Sequence, residues 1–224
     1  MIRPYIYSFF LGELFMEKKR IVFDLDQTLL TADFTNLMNY FTGMYGDEGL
    51  KLYSNLNRYL DEYEMIFDAY KREDLSKFLT NRSGFSFTPS MIDDWNDIVS
   101  SIPDKIESGV IPLLEELSQK DKSLVVLTNW FRIPQLKRLE KSHLIEYFDG
   151  VISGEEYLKP HKDSYMAAKG AYSKDEVVFI GDNLEKDYIG PRACGMDSIL
   201  YDKNNHHHEN IVKVKRLKSI QRRV

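Results

Sequence analysis

The sequence is poor in cysteine and carries no excess of positive charge, and each shortage excludes a class of protein. Cys194 is its single cysteine, so no disulfide can form within the chain. This usage is typical of a reducing compartment, and we expect the cytoplasm. The 30 lysine and arginine residues are outnumbered by 35 aspartate and glutamate residues, giving a formal net charge of −5. Because nucleic-acid-binding proteins usually present a basic face, we expect no nucleic-acid partner.

Long uncharged apolar runs are also missing from the sequence. The apolar stretch at residues 4–16 contains Glu13 and is shorter than the roughly 20 residues that span a bilayer as a helix. Its positive cluster, residues 18–20, follows the apolar part, whereas a signal peptide carries its positive charge first. We therefore expect no membrane partner. Residues 1–15 are interpreted as an N-terminal extension, and Met16 remains an alternative start.

Short runs of β-branched and aromatic residues alternate with helical patterns along most of the chain. Strands are predicted at residues 21–23, 123–128, 151–152, 176–181 and 199–201. Helices are predicted at residues 110–120, 134–142, 164–172 and 185–194. This alternation predicts an α/β fold with three layers, in which a Rossmann-like parallel sheet carries helices on both faces. The basic residues 213–223 predict a solvated strand edge and tail.

Residues 33–104 interrupt this alternation, because they contain no convincing strand. Aromatic and aliphatic residues at three- and four-residue spacings predict helices at residues 34–45 and 48–72. Residues 81–87 are predicted to be a loop, and Thr88 is predicted to be the N-cap of a helix that opens with Pro89 and runs to about residue 100. The sequence therefore predicts an all-helical insertion within the α/β domain.

Carboxylates follow the predicted strands at the edge of the sheet where ligands bind. Asp24 and Asp26 end the first strand, and Asp182 follows the strand at residues 176–181, with Asp187 further on. Because the carboxyl ends of parallel strands meet at one edge, these side chains should converge. Clustered anions need a cation, and hard oxygen ligands suit Mg²⁺.

Polar and basic residues are predicted to reach the same edge. Thr128 and Asn129 end another strand, and Lys159 precedes a proline. Phosphoryl transfer needs groups of this kind. One carboxylate attacks phosphorus, a second protonates the leaving oxygen, and cationic groups surround the phosphate.

With these residues the sequence resembles the haloacid dehalogenase (HAD) superfamily from about residue 20 to residue 202. Four motifs in order carry the resemblance: Asp24-Leu25-Asp26-Gln27-Thr28, Leu127-Thr128-Asn129, Lys159-Pro160, and Gly181-Asp182-Asn183 with Asp187. Gln27 stands where many members have glycine, at a position expected to face away from the chemistry. The resemblance implies that the insertion is a helical cap of the C1 type, residues 33–104, on a core formed by residues 16–32 and 105–224.

The resemblance also assigns roles to single residues. It implies that Asp24 is the phosphorylated nucleophile and that Asp26 is the acid/base, which also offers its main-chain carbonyl to Mg²⁺. Thr128 and Asn129 would hold the phosphoryl oxygens, and Lys159 would stabilise both the attacking carboxylate and the phosphate.

The fourth motif is implied to serve the metal. Asp24, Asp26 and Asp182 would bind Mg²⁺, while Asp187 and Asn183 would support it. A first-turn helix aspartate is the alternative interpretation of Asp187, and a helix cap is the alternative for Asn183.

Asp26 favours one of the two reactions known in this superfamily. Its dehalogenases attack carbon and lack the second aspartate, because a halide leaves without a proton. An alkoxide needs one, and general acid catalysis typically contributes about 10²–10⁴-fold. We therefore expect a Mg²⁺-dependent phosphatase acting on a small phosphorylated metabolite through a phospho-aspartate.

Other interpretations stay open at this point. A phosphotransferase or sugar-phosphate mutase would use the same motifs, and a non-catalytic phospho-ligand-binding protein would keep the fold. Sugar phosphates, phosphoglycolate and nucleoside monophosphates are all candidate substrates, and the sequence does not indicate an oligomeric state. Arg58, Arg72 and Arg82 are candidate substrate contacts in the cap, with surface charges as the alternative. His206, His207 and His208 are interpreted as part of a solvated loop.

Overall fold

A computed structural model describes residues 17–206, 211–222 and 224 of the chain. The interpretation of residues 1–15 as an extension and that of His207 and His208 as loop residues lie outside these ranges. No helix within the described ranges is long and apolar enough to cross a membrane.

Six parallel strands form the central sheet, in the order β5-β4-β1-β6-β7-β8. In chain order the strands are β1 Arg20–Phe23, β2 Leu30–Ala32, β3 Asp104–Ile106, β4 Ser123–Leu127, β5 Gly150–Ile152, β6 Val177–Gly181, β7 Asp197–Tyr201 and β8 Lys213–Val214. Phe23 of β1 pairs with Val126 of β4 on one side and Ile180 of β6 on the other. The residues that follow these three strands therefore leave the sheet at the same edge.

Helices cover both faces of the sheet, as predicted. The α-helices are α1 Thr35–Tyr53, α2 Leu56–Ile66, α3 Arg72–Ser83, α4 Pro89–Ser101, α5 Val110–Gln119, α6 Arg132–Lys141, α7 Lys162–Lys169 and α8 Gly190–Ala193, with a π-helical turn at Leu184–Ile189 and short 3₁₀ helices at Ile145–Tyr147, Lys174–Glu176 and Leu217–Arg222. Successive β1 side chains point to opposite faces. Ile21 and Phe23 pack in the cluster with α5, whereas Val22 packs with Tyr165 of α7.

The insertion contains four helices, and their boundaries differ from the predicted ones. The first continues to Tyr53 through a kink at Gly46, where φ is +58°. The predicted helix at residues 48–72 is divided between α1 and α2 at residues 54–55, and the chain leaves helical geometry again after Ile66. The predicted loop at residues 81–87 begins later, since α3 ends at Ser83 with Gly84 in the left-handed region.

Pro89 opens α4 as predicted, but the expected side-chain cap before it is not formed. Thr88 makes no capping hydrogen bond to the helix. Its hydroxyl lies 2.8 Å from the Ser90 hydroxyl instead. This helix start is therefore stabilised by the fixed φ of proline rather than by a side-chain cap.

A short antiparallel pair of strands, which the sequence analysis missed, connects the insertion to the sheet domain. Ala32 of β2 lies opposite Asp104 of β3, so the chain enters and leaves the insertion side by side. We propose this pair as the boundary between the core and a cap formed by residues 33–104.

An aromatic core holds the insertion together. Phe41 and Trp95 make an edge-to-face contact with ring centroids 5.9 Å apart. Trp95 in turn lies 4.4 Å from Trp130, centroid to centroid, and Trp130 follows β4. The aromatic cluster therefore extends from the insertion to the edge of the sheet.

The prediction of a solvated tail at residues 213–223 is wrong, although the predicted strand is present as β8. Leu217 and Ile220 are fully buried against the same core as α5. Basic residues such as Lys218 point outward between them. The segment completes one face of the domain.

Replacing Leu217 should therefore destabilise the fold. Leu217→Ala removes a fully buried side chain, and we expect a loss of about 2–5 kcal/mol in the free energy of unfolding. Urea unfolding followed by circular dichroism measures it. The control is Lys218→Ala at the neighbouring exposed position, where a change within about 0.5 kcal/mol is expected. Equal stability of the two variants would contradict this packing.

Candidate active site

Three carboxylates and one ammonium group meet where β1 and β6 end. Asp24 follows β1, and its main-chain N–H donates to the Ile180 carbonyl at 2.9 Å, which extends the strand pairing by one residue. Asp182 follows β6, and Asp187 lies in the π-helical turn. One oxygen from each of these three side chains lies within 4.8 Å of the others.

Lys159 connects two of these carboxylates. Its ammonium group donates to Asp24 Oδ1 and to Asp187 Oδ1, each at 2.7 Å. The lysine is buried, so both ion pairs are shielded from water. The residue therefore supplies one positive charge directly beside the predicted nucleophile.

Asn129 holds the loop that carries Lys159. Its side-chain NH₂ donates to the Lys159 carbonyl at 3.0 Å, and its oxygen accepts from the Lys159 N–H at 2.9 Å. This use of the side chain was not anticipated. It positions Lys159 rather than facing the carboxylates, and a phosphate-binding role for Asn129 stays a prediction.

The position of Asp187 depends on the glycine at the end of β6. A Cβ on Gly181 would lie 2.3 Å from the Asp187 carboxyl carbon. Asp187 Oδ2 also accepts from the Asn183 N–H at 3.0 Å. Glycine is required here because the carboxylate packs directly against the strand.

Asn183 caps the turn that follows. Its side-chain oxygen accepts from the main-chain N–H groups of Glu185 and Lys186, at 3.1 and 3.0 Å. The alternative interpretation as a helix cap is therefore what the geometry shows for this side chain. That Asn183 supports a metal stays a prediction. The contact that could do so is the bond from the Asn183 N–H to Asp187.

Burial and mutual repulsion raise the free energy of the ionised carboxylates in the cluster. Burial raises the pKa of Asp24 well above its usual range, and although Lys159 opposes the rise, Asp187 and Asp182 add to it. Burial and the nearby Asp187 raise the pKa of Asp182 to about 7. Burial alone would lower the pKa of Lys159, but Asp187 and Asp24 outweigh it and raise that pKa.

The charges of the cluster fit a divalent cation. Three carboxylates face one lysine, which leaves an excess of negative charge in a partly buried place. Hard carboxylate oxygens are the ligands that Mg²⁺ and similar ions prefer. Asp24, Asp182 and Asp187 could hold such an ion.

Asp26 points to a different set of partners from Asp24. Its Oδ1 accepts from Arg138 at 2.7 Å, and its Oδ2 accepts from the Gln135 amide at 3.0 Å. The same amide donates to the hydroxyl of the buried Thr128 at 2.9 Å. Sequence reasoning missed Gln135 and Arg138, because two polar residues three apart on one face of a helix do not indicate a partner distant in the chain.

A cavity of about 540 Å³ opens beside Asp26, between the sheet edge and the insertion. Its walls carry aromatic rings and a few polar groups: Phe34, Tyr53, Asn57, Glu64, Tyr70, Trp95, Asn129, Trp130, Gln135 and Arg138 are among the lining residues. Gln27 also lines it, so the expectation that position 27 faces away from the site is wrong. Gln27 has φ of +61°, in the left-handed region that favours glycine.

The three arginines proposed as substrate contacts lie elsewhere. Arg72 pairs with Asp93, whereas Arg58 and Arg82 both pair with Glu62. The side chains of these arginines are at least 47% exposed. They are surface ion pairs, the alternative that the sequence left open, and they do not line the cavity.

Side-chain contacts also join α2 to the fourth motif. Lys186, next to Asp187, pairs with Asp61 and with the buried Glu64. The Tyr70 hydroxyl donates to Glu64 at 2.6 Å. A separate main-chain bond joins the loop after α2 to the segment after β5, since the Tyr70 N–H donates to the Gly154 carbonyl at 2.7 Å.

Comparison with known proteins identifies the family. Residues 21–201 match the model of the haloacid dehalogenase-like hydrolases, which is most of the chain. The chain therefore belongs to this family of hydrolases.

Individual relatives agree with that assignment. The chain is 27% identical over 219 residues to pyrimidine 5′-nucleotidase PynA of Streptococcus pneumoniae, covering 86% of each protein. It is 24% identical over 207 residues to glyceraldehyde 3-phosphate phosphatase of Methanocaldococcus jannaschii, covering 81% of this chain and 83% of the relative. The magnesium-bound HAD-hydrolase YfnB of Bacillus subtilis superposes with a TM-score of 0.70 at 18% identity, covering 92% of this chain and 98% of that one. The last comparison shows a shared fold.

Gly181 offers a test of the cluster as a cation site. Gly181→Ala places a methyl group against Asp187 and should displace it, so we expect Mg²⁺ affinity to fall by about 10–100-fold. Isothermal titration calorimetry with MgCl₂ measures the affinity. Gly150→Ala is the matched control, because a Cβ there meets no atom within 4 Å. Unchanged affinity in a folded Gly181→Ala protein would contradict the role of Asp187.

Proposed function

We propose that this hydrolase is a Mg²⁺-dependent phosphatase that cleaves a small phosphomonoester through a phospho-aspartate on Asp24. As a phosphoric monoester hydrolase it agrees with the phosphatase and nucleotidase names of its curated relatives. The observation that carries the proposal is the buried ion pair of 2.7 Å between Lys159 and Asp24, beside two further carboxylates. It fixes and partly neutralises a carboxylate that is poised to attack.

In the first step of the proposed reaction, a carboxylate oxygen of Asp24 attacks the phosphorus atom. The bond between phosphorus and the leaving oxygen breaks, and Asp26 gives its proton to that oxygen. The products are an alcohol and phosphorylated Asp24. Lys159 stabilises the attacking carboxylate, and Thr128 and Asn129 hold the phosphoryl oxygens.

In the second step, water attacks the phosphorus of phospho-Asp24. The Asp26 carboxylate takes a proton from the water, and the bond between phosphorus and the Asp24 oxygen breaks. Inorganic phosphate leaves, and both aspartates return to their starting states. Asp26 therefore acts once as acid and once as base.

Mg²⁺ is the cofactor that we propose for the carboxylate cluster. Asp24, the main-chain carbonyl of Asp26 and Asp182 would hold it, with Asp187 and Asn183 in support. Bound there, the ion would offset negative charge on the phosphate oxygens.

The cavity favours a substrate with a flat apolar part. Its volume of about 540 Å³ lies within the range of ligand pockets, roughly 300–1,000 Å³. Tyr70, Trp95 and Trp130 in its wall offer ring faces and edges for a planar group. One curated relative is named a pyrimidine 5′-nucleotidase. A pyrimidine nucleoside 5′-monophosphate is the substrate that both observations favour.

Substitution of the nucleophile tests the mechanism. With Mg²⁺ and p-nitrophenyl phosphate, the wild-type protein should release inorganic phosphate without any added acceptor. Asp24→Asn should lower kcat by at least about 10³-fold, because the amide cannot form the phospho-enzyme. A phosphate-release assay measures both.

Asp163→Asn, at an exposed position of α7, is the control and should keep full activity. Near-normal turnover by folded Asp24→Asn would refute the covalent route. Phosphate release that requires an added alcohol would support a phosphotransferase or mutase instead. A wild-type protein that turns over no member of a broad phosphomonoester panel would support a non-catalytic phospho-ligand-binding protein.

A pair of substrates tests the proposed specificity. Uridine 5′-monophosphate and ribose 5-phosphate share the ribose and the phosphate and differ in the base. Stacking of a base on aromatic side chains contributes about 1–3 kcal/mol, so kcat/KM should be roughly 10–100-fold higher for the nucleotide. Steady-state kinetics measures the ratio, and equal values would contradict a base-binding cavity.

A further inference from the structure

Arg138 joins the acid/base aspartate to the strand that leads out of the insertion. Its guanidinium is 1% exposed and bonds two carboxylates, Asp26 and Asp104. The Asp104 side chain is 7% exposed and belongs to the first residue of β3. One buried arginine thus contacts both the loop after β1 and the strand that returns from the cap.

The geometry of the Asp104 contact fixes the plane of the guanidinium. Arg138 Nε donates to Asp104 Oδ2 at 2.9 Å, and Nη2 donates to Asp104 Oδ1 at 2.7 Å. Two parallel bonds of this kind hold an arginine in one orientation. From that orientation Nη2 also reaches Asp26 Oδ1 at 2.7 Å.

Charge balance does not account for the Asp26 contact. Asp104 alone neutralises Arg138, and both of these side chains are buried. Asp26 is 36% exposed, so water could solvate it without help from the arginine. The contact therefore serves to place the Asp26 carboxyl group.

Gln135 completes the environment of Asp26. Its carbonyl oxygen accepts from Arg138 Nη1 at 2.7 Å, which orients the amide so that its NH₂ faces Asp26. The two NH₂ hydrogens are shared among Asp26 Oδ2, the Thr128 hydroxyl and the Asn129 carbonyl. Because three acceptors share two hydrogens, Gln135 can release Asp26 and keep its other bonds.

We propose that Arg138 is a positioning residue for proton transfer, a role that rests on the phosphatase function proposed above. It holds Asp26 Oδ1 through a charged bond and leaves Oδ2 as the oxygen that carries the proton. That proton goes to the leaving oxygen as its bond to phosphorus breaks. Asp104 anchors the arginine, so the alignment of Asp26 depends on the strand that connects the cap to the core.

The dependence of rate on the leaving group tests this role. A series of substituted phenyl phosphates varies the basicity of the leaving oxygen while the shape of the substrate changes little. Proton donation matters for a basic leaving group and is dispensable for a strongly acidic one. In Arg138→Met we expect kcat/KM to fall by about 10²-fold for phenyl phosphate and by less than about threefold for 2,4-dinitrophenyl phosphate.

Arg132→Met is the matched control. Arg132 lies at the start of the same helix and pairs with Glu156, away from Asp26. It should keep the wild-type rate with every substrate in the series. A uniform loss across the series in Arg138→Met would show a purely structural role and overturn the proposal.

A double-mutant cycle separates positioning of Asp26 from other effects. Asp26→Asn should show the same selective loss for basic leaving groups, since it removes the proton donor. If Arg138 acts through Asp26, adding Arg138→Met to Asp26→Asn should change kcat/KM by less than about threefold. Additive losses would contradict the proposal.

Arg138→Met leaves Asp104 buried without its partner, which can prevent folding. The double variant Arg138→Met with Asp104→Leu removes both buried charges and should show the same selective loss. Melting curves confirm that each variant is folded. If the wild-type protein hydrolyses no aryl phosphate, the phosphatase function fails; if it does and the selectivity is absent in both variants, the role of Arg138 fails alone.

Discussion

The ion pairs of Lys159 with Asp24 and Asp187 are the interaction on which the rest of the site depends. The two carboxylates come from different elements, one after β1 and the other in the turn after β6, and burial makes their charges costly. The lysine offsets part of that cost, while Asn129 at the end of β4 fixes its main chain from both sides. Residues that follow three parallel strands, β1, β4 and β6, thereby all contact Lys159. Their register places them there, because Phe23 pairs with both neighbouring strands.

Site residues that follow a strand directly could be placed from the sequence, and Lys159 and Asp187, which lie further from a strand end, were predicted as well. Asp24 and Asp182 could be placed at one edge because apolar runs predict strands and parallel strands end together. The positions of Arg138, Gln135 and Asp104 in the site could not be predicted from the sequence. Arg138 lies 112 positions from Asp26 along the chain, and only the packing of α6 against the first loop joins them. A polar residue on a helix face gives no indication of such a partner.

The insertion shows a similar division. Its helical character follows from the spacing of aromatic residues, but its helix boundaries do not. The chain kinks at Gly46, where φ is positive, and becomes extended after Ile66, and the apolar spacing indicates neither change. The strands β2 and β3 have three residues each, too few for an alternating pattern to be recognised.

The contact between the insertion and the sheet domain relies in part on main-chain N–H and carbonyl groups, which every amino acid except proline supplies. The Tyr70 N–H donates to the Gly154 carbonyl, and the Leu158 N–H donates to the Asp68 carbonyl at 2.8 Å. Main-chain bonds of this kind are insensitive to the identity of the side chains nearby. Residues of α2 and α4 that line the cavity can therefore be substituted during evolution while the insertion keeps its position on the sheet domain. The choice of substrate can thus change while the residues at the edge of the sheet stay in place.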